Sequence, residues 1–600
     1  MPIIKIDFKK FFIYNLYVNI LIFLVFLFLY PSYSLISFLL TFLGAISTAA
    51  TLYLLFYLLS LVLKFNAKFR VSLLAFIFVL TNIVLVVDFF IYKIFNFHIN
   101  PMVLNILTSP DAFDSIQIGV MPIVAFIVII LVLVTVEFMI IQSSKKHKSN
   151  FRLKYLIIII LSITLTEKIS FGLASVYARG DIISPFRVIP LYQPLTFNKF
   201  ANKYLNIKAK DQAKYAIKTD AVLKYPLKDI VIDKTKDKFN IFIIAFDAAR
   251  YDYINQIITP NIVKFSQDAI SLPNHHSGGN STRFGIFSLI YGLNSTYWFS
   301  FLNSYQKPIV FDILKELDYD ISIFSSTNTN WPEFRKTCYV DIQDKIYDNF
   351  KGSPWQKDTA NIDSFIKYIK QVDRSKPIFS FIFLDAPHGY SFPKSANIFG
   401  AKKDVNYLAV KPKSKELNNT IAMYKNAMHY DDTLFANFIK ILKDKNLYDN
   451  SFIIFTSDHG QEFYEYGFFG HNTSFSLAQT HTPMLIKLPA NMQQVQISKL
   501  TSHQDIMPSI LKQLGVTNSL DEFSNAIDIF DTNDLRDYLF CANWNNSAII
   551  TKDKISVFSN KPNKLFANES RDSKSYKKID NPMPTKYILD AINQNKKFLK

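Results

Sequence analysis

The chain has 600 residues, a formal net charge of +18 and two cysteines, and half of its residues are hydrophobic. A chain of this length is expected to form more than one domain. The two cysteines, Cys338 and Cys541, exclude a disulfide framework and a thiolate metal cluster, but leave room for one disulfide bond outside the cytoplasm. The densest basic cluster, "SSKKHKSNFRLK", lies between two apolar segments, so nucleic-acid binding is not expected.

Five apolar segments in the first 176 residues are long enough to cross a membrane as helices. They cover residues 11–31, 36–64, 71–96, 119–142 and 154–176. The first segment is too long for the apolar part of a cleaved signal peptide, has no small-residue cleavage site and is followed by four more. We therefore predict a transmembrane domain of five spans over residues 1–176.

The positive charges alternate between the loops of this domain. The N-terminus and the loops at 64–70 and 145–154 are basic, whereas "PSYS" carries no charge and residues 93–118 contain one lysine. Because basic loops face the cytoplasm, the N-terminus is predicted to be cytoplasmic and everything after about residue 176 to lie outside the cytoplasm, which in the family resembled below is the periplasm. Glu137 and Glu167 fall in or near the ends of two spans, so the bundle is either a simple anchor or a functional, lipid-binding one.

Residues 177–237 read as a juxtamembrane connector. Pro185, Pro190 and Pro194 rule out a long helix. Arg179 and Arg187 stand close to the predicted outer surface of the membrane, where basic side chains can meet anionic lipid headgroups. A solvated linker is the alternative interpretation.

The pattern changes in residues 238–600, where apolar runs of strand length alternate with amphipathic helical stretches. The runs are "NIFIIAF", "DISIFSS", "IFSFIFLDAPH", "SFIIFTSDHG" and "TPMLIKLP". Continuous apolar strands separated by helices predict one α/β domain with a mostly parallel, doubly wound sheet.

Polar side chains end three of these runs: Asp247, then Asp385 with His388, then Asp458 with His459. Ligands of open α/β sheets gather at the carboxyl ends of the strands. One such Asp is usually a helix N-cap, but three strand ends in one sheet are harder to explain as caps. Asp247, Asp458 and His459 offer the carboxylate and imidazole ligands of Zn or Mn, and match Mg less well.

The segment "HHSGGNSTRFGIFSLIYG", residues 275–292, combines a glycine turn with a helix that starts at a hydroxyl group. Ser281 and Thr282 are both candidates for a nucleophile, because a helix N-terminus stabilises an anion and a metal can activate a hydroxyl group. The same hydroxyl is a candidate fourth metal ligand. His388 and His471 remain free to contact a substrate phosphate or a leaving-group oxygen.

This ordered set resembles the alkaline phosphatase/sulfatase superfamily. With five N-terminal spans, the chain resembles the envelope branch that includes lipoteichoic acid synthases and phosphoethanolamine transferases, and above all the YejM/PbgA inner-membrane family of Gram-negative bacteria. The resemblance covers nearly the whole chain, and its most specific matches are "FRVIPLYQPLT" and "HHSGGNSTRFGIFSLIYGLNSTY", with "IFSSTNTNWPEFRK" in addition. It implies a membrane domain followed by a sulfatase-like domain.

The superfamily resemblance implies Asp247, Asp458 and His459 as metal ligands, and Thr282, or else Ser281, as the nucleophile that becomes phosphorylated. The distance to Gly292 resembles that in related enzymes and favours Thr282.

In the same way, His388 and His471 match histidines that contact substrate in the transferase branch. Arg187 matches a basic position tied to lipid A binding in the YejM/PbgA family.

Two departures from the relatives bear on function. The chain lacks the C/S-x-P-x-R motif of conventional sulfatases, so sulfate ester hydrolysis by that route is not expected. The best-known YejM/PbgA members lack the "DHG" and the middle histidine and act as non-enzymatic regulators of lipopolysaccharide synthesis, whereas this chain keeps both. Three hypotheses stand: an envelope phosphotransferase or phosphohydrolase, a lipid A sensor that signals to a membrane protein partner, and an anchor with a relic domain.

Overall fold

The computed structural model describes residues 6–30, 33–62, 67–101, 103–104, 120–146, 153–177, 179–204, 222–402, 405–407, 409–493, 495–560 and 568–600. The chain forms two compact units. The N-terminal unit is made mostly of residues before 205, and the C-terminal unit mostly of residues after 221.

Five long apolar helices form the N-terminal unit, and each is long and apolar enough to cross a membrane. They are α1 (Phe8–Val25), α2 (Leu35–Val62), α3 (Ala67–Phe95), α4 (Val120–Lys146) and α5 (Leu153–Val176). The prediction of five N-terminal apolar helices is therefore confirmed. Helix α1 begins three residues earlier than predicted, because Asp7 accepts hydrogen bonds from the backbone N–H groups of Lys9 and Lys10.

The connector continues the packing of this unit. It contains two short helices, α6 (Gly180–Ile183) and α7 (Asn198–Tyr204), and the 3₁₀ turn Ser184–Val188. Among its described residues, 177, 179–204 and 222–237, no long helix occurs, in agreement with the prediction from its prolines. The side chains of Phe186, Val188 and Ile189 are buried in one apolar cluster with residues of α1, α2 and α5, so this part of the connector is a packed element.

A seven-stranded sheet forms the centre of the C-terminal unit, in the order β2-β10-β7-β1-β6-β4-β5. Strands β7, β1, β6, β4 and β5 are parallel to one another, and β10 runs antiparallel to both β7 and β2. The predicted mostly parallel α/β sheet is thus confirmed. The strands are β1 (Asn240–Phe246), β2 (Ile270–Ser271), β3 (His275–His276), β4 (Asp320–Ser325), β5 (Ile346–Tyr347), β6 (Ile378–Leu384), β7 (Ser451–Ser457), β8 (Glu462–Phe463), β9 (Phe469–Gly470), β10 (Met484–Lys487), β11 (Thr501–Ser502), β12 (Leu539–Ala542), β13 (Asn546–Ile550), β14 (Lys554–Ser559) and β15 (Glu569–Asp572).

Helices cover the central sheet. A separate four-stranded antiparallel sheet, β12-β13-β14-β15, follows near the C-terminus. The helices are α8 (Pro260–Phe265), α9 (Thr282–Tyr291), α10 (Trp298–Ser304), α11 (Ile309–Glu316), α12 (Pro354–Gln371), α13 (Lys415–Asp444), α14 (Leu477–Thr480), α15 (His503–Gln513) and α16 (Thr585–Gln594). Short 3₁₀ turns also occur at Phe26–Leu29, Tyr251–Tyr253, Ser295–Tyr297, Phe334–Lys336, Gln343–Lys345, Lys394–Ala396 and Leu520–Glu522.

The central strand β1 is buried along its whole length. Successive side chains of a strand point to opposite faces of the sheet. Ile241 and Ile243 join the cluster that contains residues of α9, α11 and α15. Phe242 instead packs edge-on against Phe365 of α12 and Phe438 of α13. Helices therefore cover both faces, which explains why the strand sequences are apolar throughout rather than alternating.

Cys338 and Cys541 are both buried free thiols in this unit. The disulfide bond that the sequence left open is therefore not formed.

Alanine substitutions at two glycines can distinguish the destabilisation caused by a left-handed backbone from that caused by a steric overlap. Gly292 ends α9 with φ +68°, and a Cβ there would lie 2.3 Å from Cγ of Pro508. Gly400 has φ +66°, and nothing lies within 4 Å of a Cβ there. We expect Gly400→Ala to lower the free energy of unfolding by about 1–2 kcal/mol, because alanine disfavours a left-handed backbone. Gly292→Ala should lower it by a further 1–3 kcal/mol or so, because the new Cβ would also overlap with Pro508. Denaturant unfolding of the full chain in detergent measures the difference, and equal losses would contradict this packing.

Candidate metal centre and nucleophile

The site is built at the carboxyl ends of three neighbouring parallel strands. Asp458 follows β7, Asp247 follows β1 and Asp385 follows β6, and β1 lies between the other two. Each of these residues is at most 4% exposed. Parallel strands therefore bring three acidic groups from distant parts of the sequence to one edge of the sheet.

The donor atoms of Asp247, Asp458 and His459 all lie within 4.8 Å of one another. His459 Nε2 is 3.6 Å from Asp247 Oδ1 and 3.4 Å from Asp458 Oδ2. The Thr282 hydroxyl is 3.5 Å from Asp247 Oδ2 and 3.3 Å from His459 Nε2. The structure thus brings together the four residues that the sequence proposed for a metal and a nucleophile.

Two observations show that these residues fit a divalent metal. First, Asp247 Oδ1 and Asp458 Oδ2 are buried and have no hydrogen-bond partner, which is unusual for buried polar atoms. Second, His459 Nδ1 lies 2.9 Å from the carbonyl oxygen of Gly460, which can only accept a hydrogen bond. Nδ1 therefore carries the proton, and the lone pair of Nε2 points toward the two carboxylates, as in metal-binding histidines.

The electrostatics of the carboxylates agree with this assignment. Burial raises the pKa of Asp247 well above its ordinary value, and the neighbouring carboxylates of Asp458 and Asp385 raise it further. Burial likewise raises the pKa of Asp385, with Asp358 and Asp458 contributing. The charged forms of Asp247 and Asp385 are therefore disfavoured, and a bound cation would relieve that repulsion.

Backbone contacts hold Asp458 in place. One of its oxygens, Oδ1, accepts hydrogen bonds from the backbone N–H groups of Ala248 at 3.0 Å and of His459 at 2.8 Å. Its backbone carbonyl accepts from the Ser277 hydroxyl at 2.5 Å. A Cβ at Gly285 would lie 2.1 Å from the same carbonyl oxygen, so only glycine lets α9 approach this closely.

Thr282 is the first residue of α9, and Ser281 precedes it as the N-cap residue with an extended φ of −158°. Both side chains are half-buried. Within the described part of the chain, it is Thr282 and not Ser281 that forms hydrogen bonds to the metal-binding residues. The geometry therefore distinguishes the two hydroxyl groups that the sequence left as alternatives.

His388 and His471 also lie at the site. The ring of His471 is 4.4 Å from that of His459 and 5.1 Å from that of His388. Burial lowers the pKa of His388 to about 4 and that of His471 well below its ordinary value. Both rings are therefore neutral at pH 7. His471 Nδ1 donates to Gln461 Oε1 at 3.0 Å, which leaves its Nε2 free to accept a proton.

A second group of metal-type donors consists of Asp247, Asp385 and His388. His388 Nδ1 is buried without a hydrogen-bond partner and lies 3.7 Å from Asp385 Oδ1. Sequence reasoning noted Asp385 at a strand end but did not propose it as a ligand. The available signal was its position directly after the apolar run of β6. The main-chain N–H groups of Asp385 and Ala386 donate to Asp358, which fixes this turn.

The segment "NWPEFRK" packs next to the nucleophile. Arg283, which follows Thr282, forms a buried ion pair with Glu333 at 2.7 Å. Its guanidinium carbon lies 5.0–5.7 Å from the ring centroids of Trp298, Trp331 and Trp544. These contacts hold Arg283, and with it the start of α9, in place.

The two predicted lipid-binding arginines belong to the N-terminal unit. Arg179 is exposed and forms a bidentate ion pair with Asp181, at 2.9 and 2.7 Å. Arg187 is also exposed, its guanidinium lies 5.5 Å from the ring of Tyr30, and its backbone carbonyl accepts a hydrogen bond from His98 Nε2 at 2.9 Å. The charge of Arg179 is therefore compensated locally, whereas within the described residues no carboxylate forms an ion pair with Arg187.

Comparison with known proteins gives a match for each unit. A model of the sulfatase family matches residues 239–516, and a model of a domain of unknown function, DUF3413, matches residues 7–232. The inner membrane protein YejM of Salmonella typhimurium is 21% identical over 527 residues, which cover 86% of this chain and 83% of that protein. An uncharacterized protein of Haemophilus influenzae is 24% identical over 516 residues, covering 82% and 78%. Among solved structures, the lipoteichoic acid synthase LtaP of Listeria monocytogenes has 15% identity and a TM-score of 0.45, covering 61% of this chain and 94% of that one.

We expect the C-terminal unit to be less stable at acidic pH because of His503. This histidine is the first residue of α15 and contacts the end of β7, next to the site. His503 Nε2 donates to the carbonyl oxygen of Ser457 at 2.8 Å, and His275 Nε2 donates to His503 Nδ1 at 2.8 Å. Burial lowers the pKa of His503 from 6.5 to about 4. The unfolded chain therefore takes up a proton below pH 6.5 that the folded chain does not, and stability falls as pH falls toward 4.

We expect the free energy of unfolding of the wild type to fall by about 2 kcal/mol between pH 7.5 and pH 5 because of His503. His503→Gln keeps a donor for the Ser457 carbonyl but cannot titrate, so its loss over the same range should be smaller by that amount. Denaturant unfolding at the two pH values measures both losses. Parallel pH profiles would contradict a neutral, buried His503.

Proposed function

Because the chain consists of a DUF3413 domain followed by a sulfatase domain of the alkaline phosphatase/sulfatase superfamily, we propose that it is a metal-dependent phosphohydrolase or phosphotransferase of the bacterial inner membrane. Its substrates are phosphoesters of envelope lipids or of their headgroups. The similarity to an inner membrane protein supports the location. The alternation of basic loops supports a cytoplasmic N-terminus and a periplasmic sulfatase domain.

The position of Thr282 is the observation that carries this proposal. Its hydroxyl lies at the first residue of a ten-residue helix, within 3.5 Å of both Asp247 and His459. The free N–H groups and the dipole at a helix N-terminus favour a phosphate anion there. A divalent metal held by Asp247, Asp458 and His459 would act as a Lewis acid toward the phosphoryl group.

The reaction proceeds in two transfers. In the first, a bond forms between Thr282 Oγ1 and phosphorus while the bond to the leaving alcohol breaks, and the Thr282 proton passes by way of Asp247 to that alcohol. In the second, water or an acceptor hydroxyl attacks the phosphothreonine. The neutral imidazole of His471 or His388 accepts the proton of the attacking group and returns it to Thr282. Phosphoryl transfer is favoured over sulfate hydrolysis, because neither Ser281 nor Thr282 lies in the motif of conventional sulfatases.

A second candidate function is lipid sensing, and the state of Arg187 favours it. Arg187 is exposed, held in place through its backbone by His98, and not neutralised in the way that Arg179 is by Asp181. A fixed, exposed guanidinium at the predicted outer surface of the membrane suits the phosphates of lipid A or another anionic lipid. In this alternative, the transmembrane unit signals to a membrane protein partner that controls lipopolysaccharide synthesis.

Variants at Thr282 and Ser281 test the catalytic proposal. We expect Thr282→Ala in the purified full chain to lower hydrolysis of bis(p-nitrophenyl) phosphate by about 10³-fold or more, because the nucleophile is lost. Ser281→Ala should stay within about tenfold of the wild type, because its hydroxyl does not contact the metal-binding residues. Mass spectrometry of the wild type should find phosphate on Thr282.

An Arg187→Ala variant separates the two functions. It should keep hydrolysis of this soluble probe and lose binding to vesicles that contain lipid A, whereas Arg179→Ala should bind them nearly as well as the wild type. Unchanged hydrolysis in Thr282→Ala, together with lost binding in Arg187→Ala, would reject the enzyme and favour the sensor.

Removal of one carboxylate tests the metal. Asp458→Asn keeps an oxygen for the N–H groups of Ala248 and His459 but removes the negative charge that faces His459. Loss of a residue that only hydrogen-bonds to a metal ligand lowers metal affinity by roughly 10–100-fold. Because Asp458 is proposed to be a ligand itself, we expect this variant to bind Zn or Mn more weakly still. Elemental analysis after dialysis measures the bound metal and identifies it. Asp373→Asn, at an exposed position, is the control. Equal metal content in the two variants would contradict this site.

A further inference from the structure

The N-terminal unit contains a buried polar cluster that its anchoring role does not require. The cluster consists of Asn15 and Asn19 of α1, Tyr53 of α2, Asn82 of α3 and Glu137 of α4, and each residue is at most 6% exposed. Asn15 Nδ2 donates to Glu137 Oε1 at 3.3 Å, and Asn19 Nδ2 donates to Asn82 Oδ1 at 3.0 Å. The side chain of Tyr53 lies close enough to Asn82 and to Glu137 to interact with both, so four of the five membrane helices contribute polar side chains to one interior region.

Several oxygen atoms of this cluster lack a hydrogen-bond partner. The side-chain carbonyl oxygens of Asn15 and Asn19 and the hydroxyl of Tyr53 are all buried, and none has a hydrogen-bond partner within 3.5 Å among the residues that the structure describes. Asn15 and Asn19 are one helical turn apart, so their amide groups lie on the same face of α1. No bulk water reaches the interior of a bilayer, and unsatisfied polar atoms there are costly. The cluster is therefore incomplete as a set of hydrogen bonds among protein groups.

The charge of Glu137 is also uncompensated. Within the described residues, Asn15 is its hydrogen-bond donor and no lysine, arginine or histidine forms an ion pair with it. Two other buried acidic residues of the bundle differ, because Glu167 forms an ion pair with Lys168 at 3.0 Å and Asp88 contacts His98 at 2.6 Å. Carboxylates inside membranes usually pair with a cation or mark an ion site.

We propose that this cluster binds a monovalent alkali cation such as Na⁺, with ligands from Glu137, Asn15, Asn19 and Tyr53. All the available ligand atoms are oxygens, which suit hard cations and not zinc or copper. A single carboxylate neutralises one positive charge, so a monovalent ion leaves the site neutral in the low-dielectric bilayer. The bound cation links α1, α2 and α4, and the stability of the bundle depends on its concentration.

Cation-dependent stability of the purified full chain in detergent tests this site. Thermal unfolding is followed in NaCl and in choline chloride at the same ionic strength. We expect Na⁺ to raise the Tm of the wild type by about 2–4 °C in a saturable manner. Glu137→Gln should lose this response, whereas the matched control Glu167→Gln should keep it because Glu167 already has a cationic partner.

Binding of ²²Na⁺ to the wild type in a scintillation proximity assay provides a measurement that does not depend on a variant that folds. Unlabelled NaCl should displace the label and choline chloride should not. The proposal is overturned if the wild type binds no ²²Na⁺, if NaCl and choline chloride give the same Tm, or if Glu137→Gln responds to Na⁺ as the wild type does. Those results would mean that Glu137 is protonated or that water completes the cluster. Metal binding and hydrolysis at Thr282 are independent of this outcome.

Discussion

The repulsion among three buried carboxylates is the constraint on which the C-terminal unit depends. Strand order β7-β1-β6 places Asp458, Asp247 and Asp385 side by side, and burial removes the water that would otherwise screen them. Two main-chain N–H groups satisfy one oxygen of Asp458, but the other oxygen and Asp247 Oδ1 have no donor. A fold that leaves such atoms unsatisfied at the ligand-binding edge of its sheet is arranged for a cation rather than for stability alone.

The candidate nucleophile, Thr282, is positioned by the same strand end that carries the candidate metal ligands Asp458 and His459. Ser277 and Gly285, on either side of Thr282, both meet the backbone carbonyl of Asp458, one through its hydroxyl and the other through the absence of a side chain. These two contacts hold helix α9 against the turn after β7. The distance between Thr282 and His459 follows from this backbone packing, so the reactive geometry is preorganised by rigid elements.

Local patterns predicted most of the fold, because apolar runs and helix starts are properties of short segments. The hydroxyl at the start of α9 and the five membrane helices are examples. Pairing of distant strands is not a local property, so the position of Asp385 after an apolar run did not show that β6 would lie next to β1 and bring Asp385 beside Asp247. Nor did it show that Phe186 of the connector is buried in the helical bundle. The ion pair of Arg179 with Asp181, by contrast, joins residues only two positions apart, so it could have been predicted from the sequence.

The same physical reasoning assigns different ions to the two units. In the C-terminal unit, two carboxylates and an imidazole nitrogen with a free lone pair converge, which matches the charge and the ligand preference of a divalent ion such as Zn or Mn. In the N-terminal unit, one carboxylate stands among neutral amide and phenol oxygens, so a divalent ion would leave an excess positive charge in the bilayer. Donor type selects the kind of metal, and the number of carboxylates in a low-dielectric site selects its charge.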